Sequence, residues 1–295
     1  MTILFDIANI IAPLFLIAGI GFFWSRSGQN FDTNMIGALV VNFGVPCLIF
    51  SSLTKLHVEP AIFAEMAGIY CIAVALMAAV GAAALKLMRL DIKAFLPSLT
   101  FGNNGNMGLP LCLFAFGEPG LVLGIGVLVV AAITNFAIGT ALVSGRFRPG
   151  EIARTPHLYV VAVALIFLIA GIDPPKWLAN TTSIIGGFSI PLMLMALGVS
   201  LSRLRVADIK RALALSLVRL GAGFAVGVTL AWALDLEGPI RGVLILQCAM
   251  PTAVLNYILA VRYNRSEEAV AGVIVASTVI SFAMLPLLIW YILPS

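Results

Sequence analysis

Long apolar runs separated by short polar stretches recur along the whole chain. A helix of about 20 residues crosses a hydrocarbon layer of about 30 Å. We predict ten membrane-spanning helices, at approximately residues 7–24, 35–54, 62–85, 95–116, 120–143, 157–172, 181–201, 211–234, 241–261 and 268–292. Helices are expected because backbone groups in lipid must be paired within their own segment.

The composition agrees with this pattern, since 61% of the residues are hydrophobic and 10% are charged. Soluble domains carry about 25% charged residues. The sequence therefore predicts an all-α integral membrane protein in a lipid bilayer, with no separate soluble domain. Its net charge of +4 gives no reason to expect nucleic acid as a partner.

Positive residues are divided unevenly between the predicted loops. Thirteen Lys and Arg residues lie at the loops that follow odd-numbered spans, and three lie on the other side. Cytoplasmic loops carry the excess of Lys and Arg. Both termini are therefore predicted to lie outside the cytoplasm.

The two halves of the chain resemble each other. Three residues recur in the same order at offsets of 141 to 146 residues. The pairs are Pro46 and Pro191, Pro110 and Pro251, and Phe136 and Phe282. A unit with an odd number of spans enters the membrane from opposite sides in its two copies. We predict two inverted five-helix repeats, at residues 1–145 and 157–295, joined by a basic cytoplasmic linker at residues 146–156.

The predicted fourth span is a poor lipid-facing helix. Its middle reads GNNGNMGLPL, residues 102–111, with three Asn, three Gly and one Pro. Pro inside a helix costs about 3 kcal/mol, and each buried amide without a partner costs about 1 to 3 kcal/mol. Such a sequence fits a helix that unwinds beside a cavity or another irregular segment.

The predicted ninth span has a matching irregularity in QCAMPTAVLNY, residues 247–257. Two discontinuous helices at equivalent positions of inverted repeats indicate a transporter's binding site near the middle of the membrane. We therefore predict that the two broken helices cross there. The candidate substrate-binding residues are Asn103, Asn104, Gly105, Asn106, Gly108, Pro110, Gln247, Pro251, Thr252, Asn256 and Tyr257.

The chemistry of this crossing favours an anion. Half-helix N-termini carry partial positive charge and free N–H donors, which suit a carboxylate. Neither residues 95–117 nor residues 241–261 contain Asp or Glu, one of which a cation site would be expected to hold. Arg219 lies about 12 Å into the eighth span at 1.5 Å per residue. We predict that it is a counter-ion for the substrate or a member of an internal ion pair.

Several alternatives stay open at this point. Small residues and Asn also help membrane helices to pack. A cation-coupled exchanger or sodium symporter could use Asn and carbonyl oxygens for its ion. An intramembrane enzyme is disfavoured because no paired-carboxylate, His-metal or Ser-His arrangement lies within the spans. We therefore expect no catalytic residue, cofactor or resident metal.

At residues 102–111 the chain resembles the auxin efflux carrier family, and in particular its bacterial permease branch. The motif Gly-Asn-x-Gly-x-x-Gly-Leu-Pro carries the resemblance, which extends over essentially all 295 residues. The resemblance implies the crossover fold of bile-acid transporters and sodium/proton antiporters. It also implies a scaffold of spans 1, 2, 6 and 7, and elevator-like movement of the remaining spans against it.

By the same resemblance, the chain is expected in a bacterial inner membrane, where members carry small carboxylates such as malonate and malate. Plant members carry auxin anions. This chain lacks the long central loop of many plant carriers and their Asn-Pro-Asn sequence, so a small mono- or dicarboxylate is the expected substrate. A coupling proton or sodium ion and a homodimer through the scaffold are consistent with the resemblance.

Overall fold

The protein is described by a computed structural model that covers residues 2–55, 60–139, 141–142, 156–203 and 208–293. Over these ranges every regular element is a helix, and seven helical runs are long and apolar enough to cross a membrane. The predicted all-α membrane fold is therefore confirmed. The count of ten spans and the inverted repeats stay predictions, and the predicted linker at 146–156 lies, apart from Pro156, outside the described residues.

Thirteen helices make up most of this part of the chain. They are α1 (Thr2–Arg26), α2 (Thr33–Leu39), α3 (Val45–Lys55), α4 (Pro60–Leu87), α5 (Ile92–Thr100), α6 (Leu109–Thr134), α7 (Pro156–Ala170), α8 (Lys176–Gly187), α9 (Ser189–Arg203), α10 (Ile209–Ala233), α11 (Gly238–Cys248), α12 (Leu255–Arg262) and α13 (Glu267–Ile292). Three π-helical segments adjoin them, at Val40–Gly44, Asn104–Gly108 and Asn135–Gly139.

Two predicted spans are interrupted as the sequence indicates. The predicted fourth span divides at residues 101–103, between α5 and the π segment that leads into α6. The predicted ninth span divides at residues 249–254, between α11 and α12. These two helices have 11 and 8 residues, whereas a helix needs about 20 residues to cross a membrane. Neither half crosses alone.

The helical run from Asn104 to Gly139 reverses direction at Gly117. This residue has φ 66°, a left-handed conformation that glycine adopts without strain. A methyl group added at Gly120 would fall on the backbone of Cys112, although residues eight positions apart lie about 12 Å apart in a straight helix. The two arms of α6 therefore pack antiparallel, and the reversal falls between the predicted fourth and fifth spans.

The most extensive helix contacts fall into two sets. In the first set, α1 packs along α9, and α3 packs against α7 and α8. In the second set, α10 packs against α13, α11 and α4, and α4 packs against α5 and α6. The sets meet where α1 and α3 touch α6 and where α9 touches the π segment Asn104–Gly108. The second set contains both interrupted spans.

The contact between α1 and α9 depends on glycine. A methyl group at Gly21 would fall on the backbone of Met195. Gly19, two residues earlier, has nothing within 4 Å of such a methyl group. The two glycines of α1 therefore differ in their surroundings, although they lie on the same helix.

Gly21→Ala is expected to lower the melting temperature of the purified protein, because overpacking a close helix contact costs about 1 to 3 kcal/mol. Gly19→Ala is the matched control and is expected to be neutral or slightly stabilising, because Ala loses less conformational freedom in a helix. Thermal unfolding in detergent measures both variants. Equal melting temperatures for the two would contradict the described packing of α1 on α9.

Candidate functional site

The two helix breaks lie against each other. The backbone N–H of Asn103 donates to the carbonyl of Pro251 at 2.7 Å, and the N–H of Ala253 donates to the carbonyl of Phe101 at 3.2 Å. Gly102 and Thr252 form an isolated antiparallel bridge. Extended backbone inside a membrane protein must find such partners. Each break therefore supplies the hydrogen bonds that the other lost.

Side chains of the second break bind the first break as well. Thr252 Oγ1 donates to the carbonyl of Ser98 at 2.9 Å. Asn256 Nδ2 donates to the carbonyls of Pro97 and Phe101, both at 3.2 Å. These carbonyls belong to the last turn of α5 and the residue after it, and the Pro97 carbonyl also accepts the Phe101 N–H at 2.8 Å. Thr252 and Asn256 therefore cap the end of α5.

Asn104 is the centre of a buried hydrogen-bond network. Its Nδ2 donates to the side-chain oxygen of Gln247 at 2.8 Å and to the Gln247 carbonyl at 3.1 Å. The hydroxyl of Tyr70 donates to Asn104 Oδ1 at 3.2 Å. Gln247 in turn donates to Cys112 Sγ at 3.3 Å. Asn104 thus links α4, α11 and the first break.

Arg219 is fully buried beside the crossing. Its Nη1 donates to the carbonyl of Cys248, the last residue of α11, at 3.1 Å. Its Nη2 lies against Gly102, where a methyl group would overlap it. Nε and Nη2 have no hydrogen-bond partner, and the ion pairs within the described ranges lie elsewhere, at Asp208 and Asp91. A buried guanidinium without a carboxylate is costly unless other negative charge faces it.

Other predicted site residues differ in accessibility. Asn103 is 5% exposed, and its Nδ2 has no partner within the described part of the chain. Gly105 and Asn106 are half-buried and lie in the π segment that touches α9. Gly108 packs on the side chain of Gln247, and a methyl group there would overlap it. The open edge of the crossing is therefore at Gly105 and Asn106.

The two prolines and Tyr257 occupy different places. Pro110 is buried near the start of α6, directly after the π segment Asn104–Gly108. Pro251 is buried in the second break and accepts the hydrogen bond from Asn103. Tyr257 is half-buried and packs against an apolar cluster around Leu99 and Leu215. The structure thus brings all the predicted residues except Tyr257 into the crossing network or its edge.

Sequence reasoning missed several polar residues around the crossing. Tyr70 is 1% exposed in the middle of α4. Its hydroxyl is the signal that could have identified it, because a buried Tyr hydroxyl usually has a hydrogen-bond partner. Ser277 of α13 accepts a hydrogen bond from the Thr252 N–H at 3.1 Å. Asn135 opens the third π segment, is 5% exposed and has an unpaired Oδ1. π segments occur frequently at functional sites, but sequence does not mark them.

The described ranges contain no cluster of metal-binding side chains. No group of three or more His, Cys, Asp or Glu side chains there could hold a metal ion. What the crossing offers is amides, hydroxyls, carbonyls and one guanidinium. Such groups can bind a ligand by hydrogen bonds and charge.

A sequence profile described as a membrane transport protein family matches residues 6–153 and again residues 145–291. The two matches together cover nearly the whole chain. The chain belongs to this family, the auxin efflux carriers. The resemblance at residues 102–111 is thereby confirmed, and the protein is a multi-pass membrane transport protein.

Two archaeal relatives agree with this assignment. An uncharacterized transporter of Methanothermobacter thermautotrophicus is 25% identical over 279 residues, which are 87% of this chain and 88% of the relative. An uncharacterized transporter of Methanocaldococcus jannaschii is 26% identical over 203 residues, which are 65% of this chain and 66% of the relative. Both names indicate transport and neither names a substrate.

Asn104 and Asn106 are expected to respond differently to replacement. Asn104→Ala should lower the melting temperature clearly, because it leaves the buried Gln247 and Tyr70 groups unpaired at about 1 to 3 kcal/mol each. Asn106→Ala should leave the melting temperature nearly unchanged, because Asn106 is at the open edge. Thermal unfolding of both purified variants checks this. A larger loss in Asn106→Ala would show that the assigned roles are reversed.

Proposed function

We propose that the protein is a secondary transporter for a small organic anion, a mono- or dicarboxylate, which binds at the crossing of the two broken helices. The observation that carries the proposal is the charge balance there. Four half-helix ends meet beside one buried cation, and none of the described carboxylates lies among them. The two negative ends have a positive partner, and the two positive ends have none.

The negative ends are those of α5 and α11. Each helix C-terminus carries a partial charge of about −0.5. Arg219 lies between them, bonded to Cys248 at the end of α11 and in contact with Gly102 beyond the end of α5. Its single positive charge balances the two partial negative charges. Arg219 therefore acts mainly as a fixed internal counter-ion for the helix ends.

The positive ends are those of the π segment leading into α6 and of α12. Their first N–H groups lack helical partners and carry about +0.5 charge per helix. Asn103 Nδ2 adds a buried donor without a partner, and Gly105 is half-buried and has no side chain of its own to cover the backbone. A carboxylate supplies the missing negative charge and accepts these hydrogen bonds.

Alternating access follows from the two sets of helices. The set of α1, α3, α7, α8 and α9 corresponds to the scaffold that the family resemblance implies, and the other set carries the crossing. Asn106 lies where the two sets meet. We infer that the second set moves against the first like an elevator and carries the anion, in a bacterial inner membrane with both termini outside the cytoplasm.

A cation-coupled carrier, such as a sodium symporter, is the second candidate. The observation that favours it is a group of buried oxygens without hydrogen-bond partners, Ser98 Oγ, Thr100 Oγ1 and Asn256 Oδ1. Oxygens of this kind are the ligands that hard cations take. The buried charge of Arg219 in the same region disfavours a second cation, so the anion stays the first candidate.

Thermal stabilisation by ligands tests the anion proposal, because a ligand that binds the native state raises its apparent stability. The purified protein is expected to melt at a higher temperature with one or more small carboxylates, and not with neutral amino acids. The shift is expected to disappear in Asn103→Ala. Stabilisation by sodium alone would favour the cation-coupled carrier and contradict the proposal.

Replacing Arg219 separates its two roles. Arg219→Gln is expected to lower the melting temperature strongly, because it leaves two helix ends unbalanced, and Arg219→Lys should recover part of the loss because it keeps the charge. Melting temperatures and carboxylate affinity of both variants provide the measurement. A stable Arg219→Gln protein with a normal melting temperature would refute the balancing role. Unchanged carboxylate affinity in that variant would exclude direct contact with the substrate.

A further inference from the structure

A cavity lies away from the crossing, at the end of the bundle where α10 and α13 end and α11 begins. Its volume is about 320 Å³, and it is lined by Trp232, Asp235, Glu237, Arg241 and Tyr291. Arg241 lies seven residues before Cys248 on α11, which is about 10 Å along the helix axis. The cavity is therefore separate from the proposed substrate site.

The cavity contains opposite charges that are not paired with each other. The guanidinium of Arg241 lies over the ring of Tyr291, 5.2 Å from its centroid. The ion pairs of the described residues involve other side chains, so Asp235 and Glu237 stay beyond ion-pair distance of Arg241. Stacking on Tyr291 uses the face of the guanidinium. The N–H groups at its edge therefore remain available to a ligand.

The turn that carries Asp235 has a defined conformation. Asp235 has φ 48°, in the left-handed region that Asp and Asn enter more readily than most residues. The N–H of Leu236 donates to the carbonyl of Ala231 at 2.8 Å, and that of Asp235 to Trp232 at 3.2 Å. This is the hydrogen-bond pattern of a helix C-terminal cap. The backbone that carries the Asp235 carboxylate is thus fixed by a capped helix end.

The cavity lies at the level expected for lipid headgroups. Trp232 is 80% exposed at the end of α10, and Tyr291 is 38% exposed near the end of α13. Trp and Tyr concentrate where membrane helices leave the hydrocarbon layer. An apolar wall that includes Val228 and Ile245 continues from the charged end into the bundle. A ligand with a charged head and apolar tails fits this surface.

We propose that this cavity binds the headgroup of a zwitterionic phospholipid that has a primary ammonium group, as in phosphatidylethanolamine. Arg241 binds the phosphate through charge-assisted hydrogen bonds. Asp235 and Glu237 accept hydrogen bonds from the ammonium. The volume is at the lower end of the range for small-molecule sites, about 300 to 1,000 Å³. It therefore holds a headgroup, while the acyl chains lie outside along the helices.

Lipids that have identical acyl chains and different headgroups test which headgroup charge each side chain binds. In detergent, phosphatidylethanolamine is expected to raise the melting temperature of the full chain by several degrees more than phosphatidylcholine or phosphatidylglycerol does. Phosphatidylcholine has the phosphate and no ammonium N–H donors, and phosphatidylglycerol has no cation. Free phosphoethanolamine is expected to give a smaller shift, because it lacks the acyl chains.

Two variants and one control locate the effect. Asp235→Asn keeps a residue that tolerates the left-handed conformation, and is expected to reduce the phosphatidylethanolamine shift to that of phosphatidylcholine. Arg241→Gln is expected to reduce the shift with all three lipids.

The control variant is Arg262→Gln. Arg262 stacks on Tyr263 at 5.8 Å at the end of α12, and its replacement should keep the wild-type response. Equal shifts for the three lipids, or a wild-type response in Arg241→Gln, would overturn the proposal.

Discussion

The crossing depends on one constraint, which is that backbone groups released by a helix break need partners inside a membrane protein. Two breaks in one chain can satisfy each other where one alone cannot. Asn103 and Ala253 provide the reciprocal backbone hydrogen bonds, and Thr252 caps the Ser98 carbonyl at the end of α5. These hydrogen bonds join the two breaks into one structural unit.

The distribution of charge at the crossing follows from the same arrangement of two broken helices. Breaking two helices at one point creates two additional negative and two additional positive ends, which continuous helices would lack. Arg219 lies at the negative ends, and glycine at positions 102 and 223 leaves room for its guanidinium. One of the positive ends, that of the π segment Asn104–Gly108, contains the half-buried residues Gly105 and Asn106. The proposed binding of a carboxylate therefore requires no charged side chain at that edge.

The sequence predicts the helix breaks better than it predicts the separate roles of the side chains around them. Pro110, Pro251 and the glycines around them weaken helices locally, so the breaks can be predicted from short segments. The roles of Asn103 and Asn104 depend on partners far away in the chain: Asn104 bonds Gln247, 143 residues later, whereas the Nδ2 of Asn103 stays free. Tyr70 enters the network through tertiary packing, which periodicity does not reveal. The reversal at Gly117 falls in the gap between the predicted fourth span, 95–116, and the predicted fifth span, 120–143.

The central claim is that the transported anion binds at the open edge of the crossing, whereas the buried residues of the crossing stabilise the fold. Uptake of a radiolabelled small carboxylate into proteoliposomes, compared for the wild type and the Asn103→Ala/Asn106→Ala double variant, tests this most directly. We predict that the double variant inserts and unfolds at nearly the wild-type temperature but takes up no substrate. Wild-type uptake by the double variant would contradict the claim and would leave the Asn-rich motif as a packing element between helices.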